Sequence, residues 1–163
     1  MLNILVLCTG NSARSILGEA LINAHGGGRV AGYSAGSTPT GQPNPLALET
    51  LAAHGLPATG YSSKSWDVFA APDAPVLDAV ITVCDSAAAE VCPVWPGAPT
   101  KAHWGLPDPA AITDPDAARA AFNDTFNALG ARVSALMSAL RGDTRDALKQ
   151  AFDTLAARQD SLT

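Results

Sequence analysis

The stretch that indicates the fold is LNILVLCTGNSARS, residues 2–15. Its first half is a short apolar run, which predicts a buried β-strand that ends at Cys8. From Ser12 to Ala24 the apolar side chains recur at helical spacing. Those on one side of the predicted helix are Ile16, Leu17, Ala20 and Leu21. The chain therefore begins with a strand, a tight polar loop and a helix in direct succession.

The loop between this strand and helix has the composition of an anion-binding site. Backbone N–H groups at the N-terminus of a helix carry partial positive charge and attract anions. The same groups, together with Arg14, favour the thiolate form of a cysteine at this position. Five residues separate Cys8 from Arg14, so the loop can close around a tetrahedral anion while the guanidinium binds two of its oxygens. The alternative is an inert buried cysteine at an ordinary turn.

The composition indicates one domain over residues 1–163, with no nucleic-acid or membrane partner. Hydrophobic residues make up 47% of the chain, which is enough for a core, and the formal net charge is −5. A nucleic-acid-binding surface would be basic instead. The first apolar run is too short for a signal peptide, and no stretch approaches the length of a membrane span. These observations predict a cytoplasmic protein.

The rest of the chain alternates between strand and helix patterns. Asn44 and Asp114 are each followed by a proline, which predicts the N-terminus of a helix at both places. Further strands are predicted at residues 29–35, 77–83 and 102–104, helices at 44–55, 114–142 and 143–158, and a helical turn at 66–70. This alternation predicts an α/β fold with a parallel sheet and right-handed crossovers.

Three chemically reactive residues follow strands of the predicted sheet. Cys8 and Cys84 end two strands, and Asp108 comes after the last one. Ligands of open parallel sheets bind at the carboxyl ends of the strands, so the three side chains are expected to meet at one edge. Asp108 lies between two prolines. It is either a general acid held toward that edge or a turn aspartate that caps backbone N–H groups.

Cys84 and Cys92 allow three interpretations. They are buried small side chains, part of a zinc site, or a redox pair in which one thiolate attacks and the other resolves a disulfide. Their spacing matches no usual zinc finger or ribbon, and the three histidines are scattered, so no metal is predicted. The histidines are His25, His54 and His103.

The N-terminal motif resembles the low-molecular-weight protein tyrosine phosphatase superfamily. Cys-x5-Arg-Ser followed by Glu19 is typical of that superfamily, and CTGNSARS is most similar to its arsenate reductase branch. The resemblance implies a three-layer α/β sandwich with a four-stranded parallel sheet flanked by helices. Residues 143–163 would form an extra C-terminal helix beyond the minimal family domain. Asp108-Pro109 matches the loop in which the superfamily places its general acid.

The resemblance also implies roles for individual residues. Ser15 would donate a hydrogen bond to the Cys8 thiolate, and Ser34 would anchor the loop through Asn11. Glu19 and Asp67 match acidic positions that hold a structural monovalent cation in some relatives, although Asp67 is interpreted as a solvated surface acid. The oxyanion would be bound by Thr9, Gly10, Asn11, Ser12, Ala13, Arg14 and Ser15.

The function implied is reduction of arsenate to arsenite, as in arsenic detoxification. Cys8 would form a covalent adduct with arsenate while Asp108 protonates the leaving oxygen. Cys84 would then attack Cys8, and Cys92 would attack Cys84, so that a disulfide passes along the three cysteines. No cofactor is predicted to be bound. An external thiol reductant is required, either thioredoxin or glutaredoxin with glutathione.

Two other functions use the same loop. A phosphotyrosine or phosphomonoester phosphatase is disfavoured because Ser37-Thr38-Pro39-Thr40 lacks an aromatic side chain and Ala110 stands where phosphatases have tyrosine. The pair of Cys84 and Cys92 also has no role in ester hydrolysis. An anion sensor without turnover would bind the oxyanion and would not depend on the Cys8 thiol.

Overall fold

Four parallel strands form the sheet of this protein. A computed structural model describes residues 1–84 and 99–161, with side chains through residue 157. Within these ranges the strand order is β2-β1-β3-β4, and every neighbouring pair is parallel. The strands are β1 at Leu2–Cys8, β2 at Val30–Gly36, β3 at Ala79–Thr82 and β4 at Thr100–His103.

Four α-helices and two 3₁₀ turns are described. The helices are α1 at Arg14–His25, α2 at Pro45–Ala53, α3 at Pro115–Ala139 and α4 at Arg145–Ser161, and the 3₁₀ turns are Trp66–Ala70 and Pro109–Ala111. Both predicted caps are confirmed, since the Asn44 and Asp114 side chains accept hydrogen bonds from the first turns of α2 and α3. The predicted four-stranded parallel sheet flanked by helices is confirmed.

Several element boundaries differ from the predicted ones. Helix α1 begins at Arg14 and not at Ser12, because the backbone of Ala13, with φ −123° and ψ −86°, lies outside the helical region. Helix α4 begins at Arg145 and not at residue 143, because the Thr144 hydroxyl caps its first turn. Strand β3 is shorter than predicted, and β4 begins earlier, at Thr100.

The central strand divides its side chains between two hydrophobic clusters. Ile4, Val6 and Cys8 pack in the larger cluster, to which all four α-helices contribute. Leu5 and Leu7 point to the opposite face and pack with Phe69 of the first 3₁₀ turn. Because successive side chains of a strand point to opposite faces, β1 buries side chains in both clusters. This explains why its sequence is a continuous apolar run.

Helix α4 is fastened to the amino end of the sheet. The Arg145 guanidinium lies 3.0 Å from a carboxylate oxygen of Asp78 and also donates to the Leu77 carbonyl. The other Asp78 oxygen accepts from the backbone N–H of Asn3 in β1.

In the described part of the chain, no helix is both long and apolar enough to cross a membrane.

Candidate active site

The loop from Cys8 to Arg14 connects β1 to α1 at the carboxyl end of the sheet. Several of its carbonyl oxygens accept hydrogen bonds from outside the loop: Thr9 accepts from Thr38, Gly10 from Thr40 and Ser63, and Ser12 from Asn44. The backbone N–H groups of residues 10–13 donate no hydrogen bond within residues 1–84 and 99–161. A run of unused N–H groups before a helix N-terminus is a cradle for an anion.

The loop lies directly against the end of β2. Gly36 pairs with Cys8 across the two strands. A Cβ atom at Gly36 would lie 2.4 Å from the Thr9 carbonyl oxygen and 2.8 Å from that of Cys8. Only a residue without a side chain allows this approach, so Gly36 fixes the shape of the loop from below.

Two buried polar side chains, Asn11 and Ser15, form a hydrogen-bonded chain that leads to the Cys8 thiol. The Ser15 hydroxyl oxygen lies 2.9 Å from Cys8 Sγ, as predicted, and it accepts a hydrogen bond of 2.9 Å from Asn11 Nδ2. Because the Ser15 oxygen accepts from Asn11, its proton is available to the sulfur. Asn11 and Ser15 have no exposed surface. The two side chains therefore place a hydrogen-bond donor on the Cys8 sulfur.

Asn11 is held by the segment Ser62–Ser65, which we call the brace. Its side-chain carbonyl accepts from the backbone N–H of Lys64 at 2.8 Å. The Ser63 hydroxyl donates to the Gly10 carbonyl, and the Lys64 carbonyl accepts from the N–H of Gly36. The prediction that Ser34 contacts Asn11 is wrong. Ser34 Oγ donates its single proton to Glu19 instead, at 2.6 Å, because a carboxylate is a stronger acceptor than an amide oxygen and Asn11 Oδ1 already accepts from the N–H of Lys64.

Glu19 lies one helical turn after Ser15 and forms an ion pair beneath the loop. The Lys64 ammonium is 4.0 Å from the Glu19 oxygen that accepts from Ser34. Burial raises the pKa of Glu19, and the Ser34 hydrogen bond and the charge of Lys64 counteract this rise. Burial lowers the pKa of Lys64, and Glu19 opposes that change. Burial and the Glu19 charge raise the pKa of Tyr61.

Glu19 forms its ion pair with Lys64, and Asp67, the other acid that the resemblance associates with a cation, is not part of this pair. Asp67 is exposed in the first 3₁₀ turn, as expected for a surface acid. No group of three or more histidine, cysteine, aspartate or glutamate side chains within residues 1–84 and 99–157 is arranged to hold a metal ion.

Arg14 and Asp108 meet above the loop. Arg14 Nη1 donates to the Leu106 carbonyl at 2.8 Å, and Nη2 lies 3.8 Å from Asp108 Oδ2. Asp108 Oδ1 accepts from the N–H of Ala110 and caps the 3₁₀ turn Pro109–Ala111. The capping interpretation of Asp108 is therefore confirmed, and its role as a general acid stays a prediction. The cap orients the carboxylate, and its second oxygen faces the site.

Cys84 is brought to the same edge. It lies two positions after β3, is buried, and its Sγ is 3.6 Å from the Thr9 hydroxyl. The predicted convergence of Cys8, Cys84 and Asp108 is therefore observed. Cys92 falls in residues 85–98, outside the described part of the chain.

Ser63 and Lys64 are two residues of this site that sequence analysis missed. They lie in a serine-rich stretch without helical or strand periodicity. A signal was nevertheless present, since Lys64 is an isolated cation among four flanking polar or aromatic side chains. These flanking residues are Tyr61, Ser62, Ser63 and Ser65.

Comparisons with known proteins agree with this architecture. The sequence profile of the family described as low molecular weight phosphotyrosine protein phosphatase matches residues 3–146. An arsenate reductase from Halalkalibacterium halodurans is 34% identical over 78% of this chain and 88% of its own.

Two solved structures share the fold. The thioredoxin-dependent arsenate reductase of Corynebacterium glutamicum has a TM-score of 0.62 at 24% identity, over 85% of this chain and 61% of that one. The tyrosine phosphatase Wzb from Escherichia coli K30, in complex with sulphate, has a TM-score of 0.67 at 22% identity, over 85% and 98%. Together with the loop geometry, the matched profile shows that the chain belongs to the low molecular weight phosphotyrosine protein phosphatase family.

Proposed function

We propose that this protein is an arsenate reductase that uses Cys8, Cys84 and Cys92 in turn. The anion cradle, the hydrogen-bonded Cys8 thiol and the Arg14–Asp108 pair support capture of a tetrahedral oxyanion. They do not distinguish arsenate from phosphate, because the two anions are nearly isosteric. The H. halodurans relative carries the name arsenate reductase, which favours arsenate.

The observation that carries the proposal is the second thiol at the edge of the loop. Cys84 Sγ contacts the hydroxyl of Thr9, the residue directly after the nucleophile. Hydrolysis of a phosphate ester needs one nucleophile and water, whereas reduction needs a second thiol that supplies electrons. A buried Cys84 beside the loop is therefore explained by reduction and not by ester hydrolysis.

The first step is formation of a covalent adduct. The Cys8 thiolate attacks the arsenic atom, an S–As bond forms and an As–O bond breaks. Asp108 gives its proton to the departing oxygen, which leaves as water. The N–H groups of the loop and the Arg14 guanidinium bind the remaining arsenate oxygens, once Arg14 turns its N–H groups toward them.

The second step transfers two electrons to arsenic. The Cys84 thiolate attacks Cys8 Sγ, a disulfide forms and the electron pair of the S–As bond stays on arsenic. Arsenic(V) becomes arsenic(III), which leaves as arsenite. Cys92 then attacks Cys84 Sγ, so that Cys8 is released as a thiolate and the disulfide lies between Cys84 and Cys92. An external dithiol reduces this disulfide.

Thioredoxin is the reductant we propose, in the reducing cytoplasm. The C. glutamicum enzyme of the same fold is named as thioredoxin-dependent. Reduction of a protein disulfide by an external dithiol passes through a mixed disulfide between the two proteins. A dithiol of low reduction potential, such as that of thioredoxin, is suited to this exchange. Glutaredoxin with glutathione is the competing donor.

The test is arsenate-dependent NADPH oxidation with either reducing system. Wild type is expected to turn over with thioredoxin and thioredoxin reductase, and Cys8→Ser, Cys84→Ser and Cys92→Ser to lose turnover. Ser138→Ala, an exposed position on α3, is the control and keeps the wild-type rate.

Hydrolysis of para-nitrophenyl phosphate is measured on the same variants. If Cys84→Ser and Cys92→Ser reduce arsenate at the wild-type rate, the disulfide relay is wrong. If wild type hydrolyses the ester rapidly and does not consume NADPH with arsenate, the protein is a phosphatase.

A further inference from the structure

The brace under the anion loop carries a charge that the proposed chemistry does not use. Lys64 touches the loop with its backbone, through the bond to Asn11 Oδ1, and touches Glu19 with its side chain. Its ammonium also donates to the Ser62 carbonyl at 3.0 Å, which fixes the side chain toward Glu19. One residue therefore links the buried carboxylate to the residue that positions Ser15 and Cys8.

A dissolved monovalent cation does not fit the Glu19 position in this chain. The Ser34 hydroxyl donates a hydrogen bond to Glu19, and the ammonium of Lys64 lies 4.0 Å from the same carboxylate oxygen. A second positive charge placed there would be repelled by the ammonium at close range. The charge that would attract potassium to Glu19 is already compensated by a group that belongs to the chain.

We propose that Lys64 is the built-in cation of the anion loop and a positioning residue for Cys8. Its ammonium compensates Glu19, and the brace it fixes holds Asn11 at positive φ with Nδ2 on Ser15. The protein then needs no potassium or sodium to keep the cradle formed. For catalysis this rests on the proposed function, whereas the effect on Cys8 does not.

The test compares potassium with tetramethylammonium, an ion too large for the site, at about 100 mM and equal ionic strength. Three quantities are measured: the thermal midpoint Tm, the rate of Cys8 alkylation by iodoacetamide, and kcat/KM for arsenate. The first two use a Cys84→Ser/Cys92→Ser background, so that only Cys8 reacts. Lys149→Met is the matched control, because this lysine is exposed on α4.

For each of wild type, Lys64→Arg and Lys149→Met, we expect the Tm, the alkylation rate and kcat/KM to be the same in potassium as in tetramethylammonium. Lys64→Met keeps the backbone N–H and loses the charge. In tetramethylammonium its alkylation rate and kcat/KM are expected to fall about tenfold, and potassium to restore most of both and to raise its Tm. In Glu19→Gln/Lys64→Met the potassium response is expected to disappear, because no carboxylate is left to compensate.

Stimulation of wild type by potassium would overturn the proposal, and so would Lys64→Met with wild-type values in both salts. If Lys64→Met does not fold, wild type and Lys64→Arg still decide, since both must ignore potassium and Lys64→Arg must retain the wild-type alkylation rate. If no variant reduces arsenate but alkylation and Tm respond as expected, the proposed function fails and the role of Lys64 stands.

Discussion

The two ends of the sheet both carry polar networks, and they differ in what the networks do. At the carboxyl end, Asn11 and Ser15 are fully buried and their hydrogen bonds lead to one thiol. At the amino end, Arg145 and Asp78 form a partly exposed pair that fastens α4. Buried neutral groups with fixed partners define a geometry, whereas a partly exposed ion pair mainly holds two elements together. Substitutions at the first end are therefore expected to change activity, and those at the second end only stability.

The largest effect is expected for Gly36→Ala. The new Cβ meets the backbone oxygens of Thr9 and Cys8, which cannot move without reshaping the cradle. Overpacking of this kind costs about 1–3 kcal/mol, and a displaced loop lowers kcat/KM about a hundredfold. Urea unfolding and the arsenate assay measure the two effects.

Gly130→Ala in α3 is the control for that substitution. Its Cβ has only an ordinary contact, 3.7 Å from Leu21, and alanine favours a helix by about 0.5–1 kcal/mol. Activity at the wild-type level in Gly36→Ala would show that the loop is not shaped by this contact.

Arg145→Ala is expected to lower stability without lowering activity, and it therefore tests the difference between the two ends of the sheet. It removes the Asp78 ion pair and the hydrogen bond to the Leu77 carbonyl, and costs about 1–2 kcal/mol of unfolding free energy. The anion loop lies at the other end of β1, so kcat/KM is expected to stay within about twofold of wild type. A loss of activity without a loss of stability would contradict the division between the ends.

The pH dependence of stability is expected to carry a component from Glu19. Burial raises its pKa above the ordinary value of 4.5, so from pH 4.5 up to the raised value the folded protein retains a proton that the unfolded chain has released. Stability from this group is therefore present below pH 4.5 and declines as the pH rises through the window. Glu19→Gln lacks the decline.

Urea unfolding of wild type and Glu19→Gln from pH 4.5 to about pH 7 measures that component. The wild type should lose stability relative to the variant as the pH rises. Asp124→Asn, at an exposed position of α3, is the control. Parallel curves for wild type and Glu19→Gln would show that Glu19 titrates alike in both states.

The smallest effect is expected for Arg119→Ala. Its ion pair with Glu49 has an N–O distance of 2.9 Å, but both side chains are 53% exposed. Exposed pairs contribute about 0.2–1 kcal/mol and weaken with salt. Urea unfolding at low and high salt is expected to show a small loss that salt removes. A loss as large as that of Arg145→Ala would mean that exposure does not distinguish the two pairs.

The parts predicted from sequence were those with a local signal. The strand, loop and helix around Cys8 are contiguous, and the caps at Asn44 and Asp114 are adjacent to their prolines. The partner of Ser34 was predicted wrongly, because it depends on how β2 and the brace dock on α1. Lys64 was missed for the same reason, since its partners Asn11 and Glu19 are distant in sequence. The role of Cys92 remains a prediction, and so does the assignment of residues 143–163 as an extension beyond the minimal family domain.

The hydrogen bonds that hold the loop carbonyls have a consequence for how the protein folds. Segments 38–44 and 62–65 each supply donors to the loop, so the cradle is complete only after β2 and the brace have docked on β1. Contacts so far apart in sequence form late in folding. Until then Cys8 lacks its hydrogen bond to Ser15. The surroundings of Cys8 are therefore complete only in the native state, so a change in its alkylation rate during refolding reports the final docking step.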